Sequence, residues 1–267
     1  MANSKTPRRL TVTDFVKMKS KGEKITMLTA YDHSTATMLD EAGVDMLLVG
    51  DSLAMVVQGH ENTIPVSLDE MIYHGEMVAR AAKRAFVVVD IPFPVNHHGV
   101  HEAVKAAGRI MKETGCQAVK LEGGADQADV IQAMVNAGIP VIAHVGLRPQ
   151  AVHAMGGYKV QRDRDELVAD ATAAQDAGAF CVLIECVPAD IATELSGMLR
   201  VPTIGIGAGV GCDGQVLVIN DMLGMTSGYV PSFVKAYANV AEQISGAVGK
   251  WCEDVKGSKF PDDEHSF

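Results

Sequence analysis

The sequence predicts a single (β/α)8 barrel, or TIM barrel, that spans residues 1–267 and begins with a short N-terminal helix. Three observations support this fold class. Eight short apolar runs alternate with helical segments, glycine follows several helical segments, and four apolar runs end in a carboxylate. Strands buried on both faces have this apolar character, and eight strand–helix repeats favour a closed parallel barrel. An open, doubly wound parallel sheet is the alternative.

The first predicted element is a capped helix. Thr11 and Asp14 have the spacing of a capping box, and Gly22 is placed to end the helix. Six strand–helix units follow: ITMLTAYD with HSTATMLDEAG, VDMLLVG with SLDEMIYHGEMVARAAK, RAFVVVD with HEAVKAAGRIMKETG, CQAVKLE with ADQADVIQAMVNAG, IPVIAHVG with DELVADATAAQDAG, and AFCVLIE with PADIATELSGML.

The C-terminal part completes the barrel and adds one helix. VPTIGIG and QVLVIN are the seventh and eighth strands, and an amphipathic helix is predicted from Pro231 to about Val248. The segment from about Lys256 is polar and lacks a helix cap, so its composition predicts a disordered tail.

Composition narrows the class of protein. The chain is 48% hydrophobic and 21% charged, without a linker-like segment, which predicts one globular domain. Its net charge of −10 and the lack of a basic stripe argue against a nucleic-acid partner. No apolar run is long enough to span a membrane, and no signal-peptide core follows Lys5, Arg8 and Arg9. We therefore expect a cytoplasmic protein that binds small molecules.

The cysteines point to neither disulfides nor structural zinc. There are five of them, an odd number, and they are scattered without a C-x-x-C pair. They are predicted to be reduced thiols.

Six side chains that can carry chemistry lie at the C-terminal ends of predicted strands. In a barrel these ends meet at one mouth, where the loops build the active site. Residues far apart in sequence are therefore expected to converge there. The six are Asp51, Asp90, Lys120, Glu122, His144 and Glu185.

Carboxylates at such a mouth suit Mg²⁺, which proteins commonly hold through one or two carboxylates, with substrate and water as further ligands. Asp51 and Asp90 are the first candidates for the ligands. Aspartate at a strand end also caps helices, however, and Ser52 fits the same structural role. Glu122 lies two residues from Lys120 on one strand, so the two side chains share a face and could simply pair.

Glu185 is the candidate general base. It ends a very apolar strand, so partial desolvation is expected to raise its pKa towards a useful range. A salt bridge inside the barrel is the structural alternative. His144 can act either as an orienting hydrogen-bond partner or as a proton carrier.

Two further patterns carry weaker signals. GIGAGVG lacks the spacing of a dinucleotide-binding loop because positions 210 and 212 are not glycine, and it is interpreted as a tight turn. His97, His98 and His101 lack the spacing of zinc ligands and are predicted to lie in a solvated loop.

Several long sequence words together resemble the ketopantoate hydroxymethyltransferase family. They include GDSLAMVVQGHENTIPVSLDEM, VDIPF, VKLEGG, VIAHVGLRPQ, GGYKVQ, LIECVP and GIGAGVGCDGQVLV, and they occur in the family's order over nearly the whole chain. The resemblance implies a barrel enzyme that uses Mg²⁺ and 5,10-methylenetetrahydrofolate. It would transfer a hydroxymethyl group to 3-methyl-2-oxobutanoate through a metal-stabilised enolate, giving 2-dehydropantoate for pantothenate biosynthesis.

The resemblance also implies a role for each site residue. The family's metal positions correspond to Asp51, Asp90 and Glu122, and Glu185 corresponds to the proton acceptor. His144 matches a histidine of the family's H-x-G-L-x-P-Q word. The positions that resemble keto-acid contacts are Asp51, Ser52, Asp90 and Lys120, and His144 is a further candidate substrate-binding residue.

Two departures from the family's wording concern the donor. The segment PVNHHGVH differs from the usual sequence, and Arg148 stands where a small polar residue is common. The contacts to the folate donor are therefore left open. The resemblance further implies a homo-oligomer, typically a decamer, in which the closing EHSF could be ordered against a neighbour.

Two other functions compete with this interpretation. One is another Mg²⁺-dependent 2-oxo-acid lyase or mutase on a related barrel, although the K-x-C-G-H word common in those enzymes is absent. The other is a non-catalytic barrel that binds small acids. Fold alone does not separate these functions, because barrels host many chemistries.

Overall fold

A computed structural model of the chain, which describes residues 8–267, contains a closed barrel of eight parallel strands. Each strand pairs with its sequence neighbour, and β1 pairs with β8 to close the barrel. The predicted fold class is therefore confirmed. The strands are β1 Ile25–Thr29, β2 Met46–Val49, β3 Phe86–Asp90, β4 Ala118–Glu122, β5 Val141–Gly146, β6 Cys181–Glu185, β7 Thr203–Ile206 and β8 Gly214–Leu217.

Helices precede the barrel and connect its first seven strands, whereas a short loop joins β7 to β8. The N-terminal helix has the predicted capping box at Thr11 and a left-handed Gly22 at its end. The helices of this part are α1 Val12–Lys21, α2 His33–Glu41, α3 Leu53–Val56, α4 Leu68–Ala81, α5 Val100–Thr114, α6 Ala128–Asn136, α7 Arg164–Asp176 and α8 Ala189–Met198, with short 3₁₀ turns at Val95–His97, Ala125–Gln127 and Pro149–Ala151.

Phenylalanine rings fill one end of the barrel interior. Phe86, at the start of β3, contacts Phe180 with ring centroids 5.6 Å apart, and Phe15 of α1 packs edge-on against Phe86 at 5.3 Å. All three belong to the buried apolar cluster inside the barrel. This packing leaves the opposite end, where the strands terminate, for polar groups.

The strand register aligns the polar groups at that opposite end. Asp90 lies beside Lys120 across the β3–β4 pair, and Glu122 lies beside His144 across the β4–β5 pair. Glu185, the last residue of β6, lies beside Gly146. The register therefore brings these residues side by side on adjacent strands, near the C-terminal ends of the strands.

The chain divides into two compact units, of which the first ends at Leu217 and contains the barrel. The second, Val218–Phe267, contains α9 Ile219–Met222, α10 Val240–Lys256 and a 3₁₀ turn at Asp263–His265. The single-domain interpretation of residues 1–267 stays a prediction. Lys5 lies outside the described residues.

The last long helix differs from its predicted bounds, which were Pro231 to about Val248. Asn239 sets the observed start because its side chain accepts from the backbone N–H of Glu242 and donates to that residue's carboxylate. The helix also continues through Gly249 to Lys256, because a glycine lowers helix stability without ending a helix.

The polar tail contains local structure. Asp262 accepts hydrogen bonds from the backbone N–H groups of Glu264 and His265, which holds one 3₁₀ turn together. Within residues 8–267, no helix combines the length and apolar character needed to cross a membrane.

Candidate active site

The predicted site residues meet at the mouth of the barrel. Asp51 and Ser52 follow β2, and the others lie on β3, β4, β5 and β6. The backbone N–H of Asp51 donates to Oδ2 of Asp90 at 3.0 Å, which joins the ends of β2 and β3. The hydroxyl of Ser52 lies 2.8 Å from that of Tyr31, which follows β1. Contacts among residues at the ends of β1, β2 and β3 therefore fix the positions of Asp51 and Ser52.

Lys120 and His144 link the remaining acids. The ammonium of Lys120 lies 3.3 Å from Oδ1 of Asp90 and 3.1 Å from Nδ1 of His144. An ammonium can only donate, so Nδ1 accepts and the neutral ring carries its hydrogen on Nε2. That Nε2 lies 3.1 Å from Oε2 of Glu185, at an angle that does not form a hydrogen bond. The imidazole therefore stands between the lysine and the candidate base.

Gln150 ties two of the acids together. Its side-chain amide donates to Oδ2 of Asp51 at 2.8 Å and to the carbonyl of Ile91 at 3.0 Å. Its backbone N–H donates to Oε2 of Glu122 at 3.0 Å. One buried residue thus fixes one oxygen of each carboxylate.

The site contains more buried acid than base. Asp51, Asp90 and Glu122 are each at most 5% exposed, and Glu185 completes the four acids, whereas Lys120 is the ammonium placed among them. Burial raises the pKa of Asp90 to about 7, although the nearby ammonium opposes this shift. Burial raises the pKa of Glu122 well above its ordinary value. Burial also raises the pKa of Glu185 to about 7.

The two nitrogen groups of the site have different charge states. Burial alone would lower the pKa of Lys120, but the attraction of Asp90 and Asp51 outweighs burial and raises it, so the side chain stays an ammonium. Burial and the neighbouring ammonium lower the pKa of His144 well below its ordinary value. The imidazole is therefore neutral at neutral pH, and its contact with Glu185 is not a salt bridge.

The donor set of the site fits a hard divalent cation. Oε1 of Glu122 is buried and accepts no hydrogen bond from the described residues, and Oδ1 of Asp90 is buried with only the ion pair to Lys120 at 3.3 Å. Carboxylate oxygens are the ligands that Mg²⁺ prefers, and its charge would offset the excess of buried acid. Among residues 8–267, no three His, Cys, Asp or Glu side chains are disposed to hold a metal by themselves. The metal roles of Asp51, Asp90 and Glu122 stay predictions.

Sequence reasoning missed two polar residues of the site. Gln150 belongs to the GLRPQ word but received no role, because its three hydrogen bonds reach across the mouth to distant strands. Tyr31 follows β1 and is 4% exposed, and its hydroxyl contact with Ser52 has no local sequence pattern. Its position in the sequence could have identified Tyr31, since it lies two residues after the end of β1, as Asp51 lies two residues after the end of β2.

A cavity of about 350 Å³ opens beside the acids. Glu122 and Gln150 line its inner side, and Phe93, His97 and Arg148 line other parts of its wall. This volume lies within the range of roughly 300–1,000 Å³ that is typical of small-molecule sites.

Comparison with solved structures supports the fold. Phosphoenolpyruvate phosphomutase from Streptomyces platensis subsp. rosaceus aligns with a TM-score of 0.64, covering 97% of this chain and 92% of that one. Its sequence identity of 15% means that the likeness concerns the barrel architecture alone.

Sequence comparison identifies the family. The model of the ketopantoate hydroxymethyltransferase family matches residues 9–263. A 3-methyl-2-oxobutanoate hydroxymethyltransferase from Rhodopirellula baltica is 56% identical, covering 99% of this chain and 98% of the relative. The enzyme of the same name from Desulforapulum autotrophicum is 52% identical, with coverages of 97% and 98%. The chain therefore belongs to the ketopantoate hydroxymethyltransferase family, whose members are transferases of pantothenate biosynthesis.

Proposed function

We propose that this transferase moves a hydroxymethyl group from 5,10-methylenetetrahydrofolate to 3-methyl-2-oxobutanoate in a reaction that requires Mg²⁺. The observation that carries the proposal is the convergence of four acids around one ammonium, with buried carboxylate oxygens that accept no hydrogen bond from the described residues. This arrangement suits a substrate with adjacent carboxylate and keto oxygens, which binds a divalent cation and a cationic side chain together.

Asp51, Asp90 and Glu122 would hold the cation together with oxygens of substrate and water, since no three described His, Cys, Asp or Glu side chains are disposed to hold a metal by themselves. When bound, Mg²⁺ supplies Lewis acidity that polarises the keto group of the substrate. Gln150 keeps one oxygen of Asp51 and one of Glu122 engaged in hydrogen bonds, so the orientation of both carboxylates is set before substrate arrives.

Lys120 and Ser52 would bind the anionic end of the keto acid. The high pKa of Lys120 keeps a positive charge at the mouth over the physiological range. Tyr31 orients the Ser52 hydroxyl through their 2.8 Å contact. A fixed ammonium in a buried site stabilises negative charge on substrate oxygens more strongly than the same group in water.

Glu185 would remove the proton from C3 of 3-methyl-2-oxobutanoate. Its pKa of about 7 leaves an appreciable ionised fraction at neutral pH and makes the carboxylate a stronger base than an ordinary glutamate. The neutral imidazole of His144, whose Nε2 lies 3.1 Å from Oε2 of Glu185, limits the positions open to that carboxylate. We therefore assign Glu185 the role of base and His144 an orienting role.

In the complete reaction the C3–H bond is replaced by a bond to the methylene carbon of the donor. Both C–N bonds of the methylene carbon break and water supplies the hydroxyl oxygen of the product. The proton from C3 and the remaining proton of that water go to N5 and N10 as tetrahydrofolate leaves. The products are 2-dehydropantoate and tetrahydrofolate, and no oxidant or reductant is consumed.

The test is a product assay by proton NMR with purified enzyme, 3-methyl-2-oxobutanoate and 5,10-methylenetetrahydrofolate. We expect a new hydroxymethyl signal that grows when Mg²⁺ is present and stops when EDTA is added. The proposal is wrong if the signal never forms, or if it forms equally fast in metal-free enzyme with EDTA.

A further inference from the structure

We infer that the 350 Å³ cavity beside the acids binds the flat heterocyclic head of the one-carbon donor, and that the N–H group at Nε2 of His97 helps to recognise it. The inference rests on the proposed function, because it assigns a place to the donor of that reaction. It concerns the PVNHHGVH segment and Arg148, which the keto-acid site does not use.

The position of the cavity follows the needs of the chemistry. Carbon–carbon bond formation brings the methylene carbon of the donor against C3 of the keto acid, so the donor must bind in a space that opens onto the acids. Glu122 and Gln150 line this cavity and also belong to the acid cluster. The cavity therefore borders the acid cluster at Glu122 and Gln150.

The wall of the cavity suits a flat ring with hydrogen-bonding edges. Phe93 is 38% exposed and offers an aromatic surface for stacking. Arg148 offers N–H donors, and Asp126, which pairs with it at 2.9 Å, offers carboxylate acceptors. A reduced pterin carries both ring acceptors and N–H donors along its edge. The N–H donors of Arg148 suit those acceptors, and the carboxylate of Asp126 suits those donors.

A series of hydrogen bonds, in each of which the donor is determined, fixes which ring nitrogen of His97 carries the hydrogen. The buried amide nitrogen of Asn96 donates to the backbone carbonyl of Glu122 at 3.2 Å and to Oε1 of Gln127 at 3.3 Å. A carbonyl can only accept, so the Asn96 amide has one orientation, and Gln127 must then donate through Nε2 to Nδ1 of His97 at 3.2 Å. The neutral imidazole therefore carries its hydrogen on Nε2.

The structure also separates three histidines that look alike in the sequence. His97 lines the cavity and is oriented by Gln127. His98 directly follows the 3₁₀ turn and His101 lies at the start of α5; both are exposed, as His97 is, but neither is among the residues that line the cavity. His98 is thus a matched control, because it is the adjacent residue of the same type.

The test compares His97→Phe with His98→Phe in the full-length enzyme. Phenylalanine keeps a flat ring but removes the N–H donor. Steady-state assays give the KM for 5,10-methylenetetrahydrofolate and for the keto acid, and exchange of the C3 proton with deuterated solvent, in the absence of donor, reports on the acid cluster. Loss of one neutral hydrogen bond predicts a roughly three- to tenfold rise in the donor KM for His97→Phe. Neither the exchange rate nor the keto-acid KM should change, and His98→Phe should match the wild type.

Several results would overturn the inference. They are an unchanged donor KM in His97→Phe, an equal rise in His98→Phe, or a fall in C3 exchange as large as the fall in transfer. A wild-type enzyme that exchanges the C3 proton but transfers nothing from the donor would instead overturn the proposed function, and this inference with it.

A second measurement tests the tautomer without any assay of activity. Nitrogen-15 NMR of histidine-labelled enzyme, with the His97 signals assigned by their loss in His97→Phe, distinguishes a protonated ring nitrogen from a bare one. We expect hydrogen on Nε2 and none on Nδ1. Hydrogen on Nδ1 of the neutral ring would contradict this series of hydrogen bonds and overturn the recognition role.

Discussion

The side-chain amide of Gln150 donates to Oδ2 of Asp51 at 2.8 Å, although the two residues are 99 positions apart in the chain. Both are buried, and the backbone of Gln150 also holds Glu122. This contact joins the loop after β5 to the end of β2 and orients two of the three carboxylates proposed to hold Mg²⁺. Gln150 therefore orients two carboxylates of the proposed metal site through its hydrogen bonds.

Gln150→Met removes this support while keeping the length of the side chain. Oδ2 of Asp51 then loses its amide donor in a buried place, and the carboxylate can rotate away from its position. We expect Mg²⁺ affinity to fall about ten- to a hundredfold, the usual effect of losing a group that orients a ligand. Calorimetric titration with Mg²⁺ measures this change. The same substitution at exposed Gln243 should leave the affinity unchanged, and equal affinities in all three proteins would exclude the supporting role.

The rate of proton removal should depend on pH through Glu185. Because the pKa of this group is raised to about 7, the carboxylate is mostly protonated at pH 6 and mostly ionised at pH 8. The rate of C3 exchange should therefore rise with pH through about 7 and level off above it. A pH–rate profile of deuterium exchange checks this. A profile that is flat from pH 6 to pH 8 would remove Glu185 from the role of base.

The same shift predicts how stability depends on pH. The pKa of Glu185 is about 7 in the folded protein and about 4.5 for an ordinary glutamate, so the folded state binds more protons between these values. Its contribution to the free energy of unfolding therefore falls as pH rises from about 4.5 to about 7. Glu185→Gln should be more stable than the wild type at pH 8 by about 3 kcal/mol, and this difference should vanish near pH 4. Urea unfolding of metal-free protein at both pH values measures it. A difference that does not vary with pH would contradict the raised pKa.

A stability prediction concerns the other end of the barrel. Lys19 of α1 donates to Oδ2 of Asp213 at 2.7 Å and to the carbonyl of Ser196 at 2.8 Å, and the lysine side chain is 16% exposed. Lys19→Met should lower the free energy of unfolding by about 1–3 kcal/mol, since it removes a partly buried charged hydrogen bond. Lys21→Met should cost less than about 0.5 kcal/mol, because the pair with Glu23 is mostly exposed. Urea unfolding compares the two variants. Equal losses of unfolding free energy in the two variants would show that the Lys19 contacts do not stabilise the fold. The rate of C3 exchange should be unchanged in both variants.

The fold could be predicted from the sequence because local patterns specify its elements. Buried strands such as β3 are continuous apolar runs, and the capping box at Thr11 marks the start of α1. The convergence of Asp90, Lys120 and Glu185 followed from strand position alone, since the ends of parallel strands meet at one mouth. The separation of base from ligands came from the family resemblance and not from strand position.

The remaining features depend on contacts that no local pattern encodes. The hydrogen bonds of Gln150 cross from one loop to distant strands. The hydrogen bonds that link Asn96, Gln127 and His97 join two 3₁₀ turns that follow different strands. The start of α10 differs from its prediction because the Asn239 cap sets it, and its end differs because glycines inside a helix resemble glycines that end one. Tertiary contacts thus decide the positions of Gln150 and His97, and a side-chain cap decides where α10 begins.

The most direct test of the central claim is proton NMR of 3-methyl-2-oxobutanoate in deuterated buffer, without donor, comparing the wild type with Glu185→Gln in the presence of Mg²⁺. Mg²⁺ affinities of both proteins, measured separately, show that the site is intact. We predict that the wild type exchanges the C3 proton and that the variant does so roughly a hundred- to ten-thousandfold more slowly. Exchange by Glu185→Gln at the wild-type rate would contradict the account.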